Sequence, residues 1–311
     1  MPDIVTITMN PALDIATSAE AVVPTDKVRC GQPRYDPGGG GINVARVVRT
    51  LGGDGLAVFP AGGPAGDALD LLLDRDGVPH QRIPVAGPTR ESFTVDERRS
   101  GQQYRFVLPG PELSRAEQDL CLETLAKTAC DARFIVASGS LPPGVPADFY
   151  QKIADVTRRL GVRFVLDTSG EALKQTKSGV YLLKPSIREL RERTGRELRT
   201  EAEQVVAARG LILDGVSEVV VVSLGSQGAV LVTRDTHESL APIEVPIHSA
   251  VGAGDSMVAA ITLGLARGMD LRDAVHLGMA AGAATLMTPG TGLCRREDVE
   301  RLYSAWRLRA G

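Results

Sequence analysis

Cysteine is scarce in this chain of 311 residues. Cys30, Cys121, Cys130 and Cys294 form no C-x-x-C pair, and no histidine stands at zinc-ligand spacing beside any of them. That excludes a structural zinc knuckle and a disulfide scaffold. A chain of this length needs no staple, because about three quarters of its unfolded surface can be buried. Long apolar runs are missing too: none approaches the roughly 18 to 20 residues of a membrane span. No basic stretch followed by an apolar one opens the chain, and with the scattered cysteines this leads us to expect a reducing, cytoplasmic setting. A surplus of one charge is the third absence, with 35 Lys+Arg against 38 Asp+Glu for a net −3 and no Lys/Arg block. Nucleic acid and an anionic membrane are therefore not expected partners. A small anionic ligand stays open, since it needs only a few local cations.

What is present is periodicity. Short β-branched runs at residues 4–8, 56–59, 134–137, 164–166, 180–183 and 219–222 read as buried strands. Amphipathic stretches at 42–51, 65–75, 115–127, 147–160, 201–213 and 255–266 lie between or after them, and the last hundred residues turn helical. Continuous apolar strands alternating with helices predict a mainly parallel sheet covered on both faces. No repeat of 20 to 50 residues occurs. Two segments break the pattern, 27–35 and 90–108. In the second, Phe93 and Val95 on one arm and Tyr104, Phe106 and Leu108 on the other alternate with polar residues around Arg98-Arg99-Ser100-Gly101. That is a hairpin with one apolar face, either lying on the main core or standing off it as a lid that a second subunit covers.

Two glycine-rich turns carry the chemistry. Gly38-Gly39-Gly40-Gly41 runs directly into a helix through Ile42 and Asn43. Glycines admit a ligand close to the backbone, a helix start offers unpaired N–H groups, and Asn43 can both donate to and accept from a sugar hydroxyl. A glycine run alone fits a flexible turn equally well. Gly252-Ala253-Gly254-Asp255 is the second such element. Its amides form an anion hole for charge on a transferring phosphoryl group, and Asp255 is placed to take a hydroxyl proton; by position alone it could also be a helix cap. A dinucleotide fingerprint would need glycine at Met257, and G-x-x-x-x-G-K-[ST] occurs nowhere.

With these two motifs on nearly the whole chain, including Gly52 and Gly62 downstream of the first, the sequence resembles the ribokinase-like (PfkB-type) carbohydrate kinases. The resemblance implies a three-layer α/β/α sandwich with a small β-sheet lid. We expect the core over residues 1–14, 36–87 and 111–311, and the lid and dimer contact over 15–35 and 88–110. It implies that Gly252, Ala253 and Gly254 form the anion hole and that Asp255 is the catalytic base. The segments Asn10-Pro11-Ala12-Leu13-Asp14, Ser138-Gly139-Ser140-Leu141-Pro142-Pro143-Gly144 and Asp167-Thr168-Ser169-Gly170 are similar to the sugar-phosphate branch, nearest the minor-type 6-phosphofructokinases. In that branch Asp14 binds sugar hydroxyls with the Gly38–Gly41 turn and Asn43. Lys27, Arg90 and Arg105 clamp the substrate phosphate, Arg105 being one that a partner's lid could supply. Ser140 lines the same site, as do Asp167 and Gly139.

On the nucleotide side the resemblance gives ATP binding to Lys184, Glu189, Ser223, Gly225 and Gly228, with Glu189 holding Mg²⁺ through water. Two departures stand out: Ser186 replaces the usual Asn of an N-x-x-E motif, and Ser249-Ala250 replaces Asp-Thr. A monovalent cation, K⁺, would match Ser249, Val251, Thr285, Thr288 and Gly290. The implied reaction is ATP-dependent phosphorylation of fructose 6-phosphate by a cytoplasmic homodimer. A 1-phosphofructokinase or tagatose-6-phosphate kinase is the near alternative, although those usually carry Lys where this chain has Gly40. The two departures keep a third reading open, a sugar-phosphate or nucleotide sensor that has lost catalysis.

Overall fold

Successive side chains of a strand turn to opposite faces of its sheet, and in the large sheet of this chain both faces are apolar. The computed structural model describes residues 2–310. In its first half the elements are β1 (Ile4–Ile7), β2 (Ala12–Ala19), β3 (Arg34–Gly38), α1 (Gly40–Thr50), β4 (Gly55–Ala61), α2 (Gly63–Arg75), β5 (His80–Pro84), β6 (Arg90–Glu97), β7 (Gln103–Val107) and α3 (Arg115–Thr128). There follow β8 (Phe134–Ser138), α4 (Phe149–Leu160), β9 (Arg163–Asp167), α5 (Gly170–Gln175), β10 (Val180–Leu183), α6 (Ile187–Thr194), α7 (Glu201–Leu213), β11 (Ser217–Ser223), β12 (Ala229–Val232) and β13 (His237–Leu240). The chain closes with α8 (Ala253–Ala266), α9 (Leu271–Leu286) and α10 (Arg296–Ala310). None of the helices described is long and apolar enough to cross a membrane.

The large sheet has the order β13-β12-β11-β10-β9-β8-β1-β4-β5, parallel from β11 to β5, with β12 and β13 antiparallel at one edge. Val5, Ile7, Ile135, Phe164, Leu183 and Val220 point into one core with α3, α4 and α7. Ile4, Val136, Val165, Leu182 and Val221 point into the other, with α1, α8 and α9. The result is the expected α/β/α sandwich. Chain order reverses at β1, whose neighbours are β4 and β8, and such a switch point opens a crevice at the carboxyl ends of the strands.

The second sheet, β3-β2-β6-β7, reaches further along the chain than the expected lid of 15–35 and 88–110, taking in residues from Ala12 and up to Gly38. The Asn10–Asp14 motif therefore leaves the core inside itself, a step that a Thr- and Ser-bearing strand such as β2 does not announce. Of the segment 27–35 only Arg34 and Tyr35 lie in a strand, with an isolated bridge at Cys30. The last hundred residues turn helical only after β13. Register divides the small sheet cleanly. Ile15 pairs with Tyr35 and Phe93, Phe93 with Phe106, and Val95 with Tyr104, so one face is apolar. Asp14 pairs with Asp36 and Ser92, Ala12 with Arg90, and Thr94 with Arg105, so the other face is charged.

Candidate active site

The first turn of α1 lies directly on the ends of β1 and β8. A Cβ on Gly40 would stand 2.2 Å from the Ser138 hydroxyl, and one on Gly41 would stand 2.6 Å from the Ile7 carbonyl. Only glycine permits that approach. The Thr8 hydroxyl accepts the Ile42 N–H at 2.7 Å, which leaves Asn43, one residue on, to point across the crevice. Gly38 lies under the Asp14 carboxylate, and Gly39 is the N-cap of α1.

Facing this turn, Gly252 starts α8 with φ at 77°, in the left-handed region. The first backbone bond of that helix runs from the Ser256 N–H to the Gly252 carbonyl, so the amides of Ala253, Gly254 and Asp255 precede the hydrogen-bonded turns and are free to receive an anion. Asp255 does not cap the helix. Its carboxylate accepts hydrogen bonds from Asn43 Nδ2 at 2.9 Å and from the Ser138 hydroxyl at 3.0 Å. Burial, reinforced by the charge of Asp167, pushes its pKa up to about 6, against the pull of Asn43, Ser138 and Lys184. A carboxylate held by two donors and titrating near neutrality is suited to take a proton.

Lys184 and Asp167 form a buried ion pair of 3.2 Å beside this helix start, and a Cβ on Gly254 would lie 3.5 Å from the Lys184 ammonium. Burial raises the Asp167 pKa and Lys184 lowers it, while Glu189 adds to the rise. Burial disfavours the charge on Lys184, yet the surrounding carboxylates of Asp167, Glu189 and Asp255 keep its pKa raised. One ammonium against three carboxylates leaves an excess of negative charge that fits a divalent cation arriving with a nucleotide. No group of three or more His, Cys, Asp or Glu side chains among the described residues is placed to hold a metal ion. Ser186 turns out to be the N-cap of α6. Its hydroxyl accepts the Glu189 N–H while Glu189 accepts the Ser186 N–H at 2.7 Å. Serine thus fills the capping role at this position. The Ser223 N–H bonds to the Pro185 carbonyl, which brings the Ser223–Gly228 turn, with Gly225 inside it, against the same segment.

The charged face of the small sheet closes the other end. Arg90 donates to the Asn10 carbonyl at 3.1 and 3.3 Å, to the Leu108 carbonyl at 3.3 Å and to the Ser92 hydroxyl at 3.2 Å. Burial pushes Asp14 up to about 6, with Arg90 and then Arg105 pulling it down. Lys27 is not among the charges that act on Asp14; it is exposed on the connection between β2 and β3 and makes no hydrogen bond or ion pair among the described residues. Ser140 accepts from Asn10 Nδ2 at 3.3 Å, while Asn10 Oδ1 is buried without a partner.

Of the five cation candidates, Ser249, Val251 and Gly290 are bonded together, and Thr285 and Thr288 to each other. The Ser249 hydroxyl donates to the Gly290 carbonyl at 2.6 Å and accepts the Val251 N–H, and the Thr288 hydroxyl donates to the Thr285 carbonyl at 2.7 Å. The hydroxyl and carbonyl oxygens here carry no formal charge, which fits a monovalent cation. Sequence reasoning passed over Ser138, Asn10 and Asp36. Ser138 and Asn10 stood inside quoted motifs, but only the fold shows that one holds Asp255 and the other holds Arg90.

The model of the pfkB family of carbohydrate kinases matches residues 7–298. An ATP-dependent 6-phosphofructokinase isozyme 2 from Mycobacterium tuberculosis is 60% identical over 302 residues, 97% of this chain and 89% of that relative. The crystal structure of phosphofructokinase-2 from Escherichia coli in complex with potassium superposes with a TM-score of 0.94 at 39% identity, covering 99% of this chain and 100% of that one. Its complex with fructose-6-phosphate gives a TM-score of 0.92 at 39% identity, covering 98% and 99%. With the family's model spanning nearly all of the sequence, and the Gly-rich turns meeting at one crevice, the chain belongs to the pfkB family of carbohydrate kinases.

Proposed function

We propose that this kinase transfers the γ-phosphoryl group of ATP to the 1-hydroxyl of fructose 6-phosphate. The observation that carries the reading is the position of Asp255 in the first turn of α8, held by Asn43 and Ser138 beside the free amides of that helix, while Asp14 lies over Gly38 at the Gly-rich turn that leads to Asn43. Asp14 and Asn43 orient the sugar. Arg90 and Arg105, with Lys27 as a further cation from the same sheet or a partner's, hold its 6-phosphate through charged hydrogen bonds. Asp255 takes the proton as the hydroxyl oxygen attacks the γ-phosphorus, and the bond to the bridging oxygen of ADP breaks in line. The amides of Ala253 and Gly254, with Lys184, receive the charge on the phosphoryl oxygens. Glu189 and Asp167 would hold the waters of a Mg²⁺ ion arriving with ATP, which would supply neutralisation of the phosphate charge. The Ser249–Val251 and Thr285–Gly290 carbonyls would hold K⁺.

Gly40 supports the choice of sugar phosphate. With the Ser138 hydroxyl 2.2 Å from where its Cβ would be, there is no room at this position for the lysine expected of a 1-phosphofructokinase or tagatose-6-phosphate kinase. The Ser186 cap, together with an intact Asp255, argues against a sensor without catalysis. Unpaired cysteines fit a cytoplasmic enzyme, and the apolar lid face fits a homodimer. A coupled ADP-release assay with fructose 6-phosphate, fructose 1-phosphate, tagatose 6-phosphate and ribose tests the reading. Fructose 6-phosphate is expected to give the highest kcat/KM; a preference for another of the four, or no turnover, would overturn it.

A further inference from the structure

Asp36 is a buried carboxylate that the reaction above does not use. It lies on β3, beside Asp14 in register, and is 7% exposed. Its Oδ2 accepts from Arg34 Nε at 2.7 Å and from the Thr291 hydroxyl at 2.5 Å, and Oδ1 accepts from Arg46 of α1 at 3.5 Å. Arg34 reaches the same loop, donating to the Thr291 hydroxyl at 3.1 Å and to the Pro289 carbonyl at 3.4 Å. A second tie starts on β7. Gln103 Nε2 donates to the Ser249 hydroxyl at 3.4 Å and is aimed by Asp96 Oδ1 at 2.8 Å. Ser249 in turn donates to the Gly290 carbonyl and accepts the Val251 N–H, one residue before Gly252. Contact is close as well, since a Cβ on Gly290 would stand 3.3 Å from that of Ala16 on β2.

We infer that Asp36 and Gln103 are positioning residues that latch the small sheet onto the 289–291 and 249–251 loops, so that the phosphate clamp and the anion-hole turn are set by one hydrogen-bonded frame. The loops flank Gly252, and the strands that carry Asp36 and Gln103 belong to the sheet that carries Asp14, Arg90 and Arg105. Seating of the sheet on a sugar phosphate therefore draws on the same bonds that hold the loop behind the α8 amides. The consequence for fructose 6-phosphate rests on the substrate reading above; the latch itself does not.

Thr291→Val removes a donor to a charged acceptor without changing side-chain volume, and Gln103→Leu cuts the second tie. Hydrogen exchange on the ligand-free variants is expected to quicken along β2, β3, β6 and β7 and to stay unchanged in β1, β8 and β9. Calorimetry without nucleotide is expected to show fructose 6-phosphate bound roughly tenfold more weakly by Thr291→Val, about the effect of one lost hydrogen bond to a charged group. KM for ATP should stay within about twofold in both variants, and Thr291→Ser should restore wild-type binding. Unchanged exchange along the four strands in both variants would overturn the latch, as would a lower melting temperature with sugar-phosphate affinity intact. Wild-type calorimetry reads the substrate assignment and ligand-free exchange reads the latch, so failure of one is told apart from failure of the other.

Discussion

At Asp255 catalysis and stability pull in opposite directions. Its pKa stands at about 6 against an ordinary 3.8, chiefly because burial disfavours the charge. Below 3.8 the carboxyl is protonated in both folded and unfolded chains, and no penalty exists. Above about 6 it is ionised in both, and the folded state carries the whole penalty, on the order of 2 to 3 kcal/mol. Asp255→Asn is therefore expected to raise the melting temperature at pH 7, with a gain that shrinks as the pH falls through 5. The same variant should lose about 10² to 10⁴ in kcat, as for a missing general base, while ATP and sugar phosphate still bind. Calorimetric melts alongside steady-state rates check both halves. A variant retaining more than about a tenth of kcat would reduce Asp255 to a structural group. In the wild type only the ionised carboxylate accepts a proton. The free enzyme's kcat/KM is thus expected to rise with pH through about 6 and level off above it, and Asp14, also pushed up to about 6, steepens the acid limb.

Elements differ in how openly the sequence declares them. β1, β8, β9, β10 and β11 were legible because strands buried on both faces are continuous β-branched runs. The two Gly-rich helix starts were legible because close approach at Gly40 and Gly41 and a left-handed backbone at Gly252 call for glycine. β5, β12 and β13 were not read: His80–Pro84 mixes charge with a single buried Ile83, β12 is apolar but only four residues long, and the edge strand β13 is mostly polar. β2 was not read as a strand, since its buried residues are mostly alanines among Thr and Ser, and only its part from residue 15 fell within the expected lid. The small sheet shows what that partial reading leaves out. Arg90 is expected in the clamp from the family resemblance, but its orientation comes from main-chain carbonyls at Asn10 and Leu108, which no side-chain pattern records. That wiring sharpens the expectation. Arg90→Ala should weaken fructose 6-phosphate by about 1.5 to 3 kcal/mol and leave ATP nearly unaffected, because the lost partner is a charged one. Equal losses for both substrates in isothermal titration would remove Arg90 from the clamp.

The molecule as a whole carries one surface out of keeping with a monomer. Tyr35, Phe93, Phe106 and Leu108 are 45%, 36%, 52% and 46% exposed, and register puts Tyr35, Phe93 and Phe106 in one row across the small sheet. At ~25 cal/mol per Å² a contiguous apolar face of this kind is costly in water, and a two-fold axis covers two such faces with a single contact. The polar face of the same strands is already committed to the site, so the apolar face is what remains for a partner. Lys27, with no hydrogen bond or ion pair among the described residues, is exposed on the connection between β2 and β3 of this sheet. Light scattering of the wild type at micromolar concentration is expected to give at least a dimer. Phe93→Asp with Phe106→Asp, both at half-exposed positions that a folded chain tolerates, should give monomers. Those monomers should also bind fructose 6-phosphate less well, because Arg90 and Arg105 lie on the two strands whose pairing faces the partner. A fully active wild-type monomer would mean that the face is used bare.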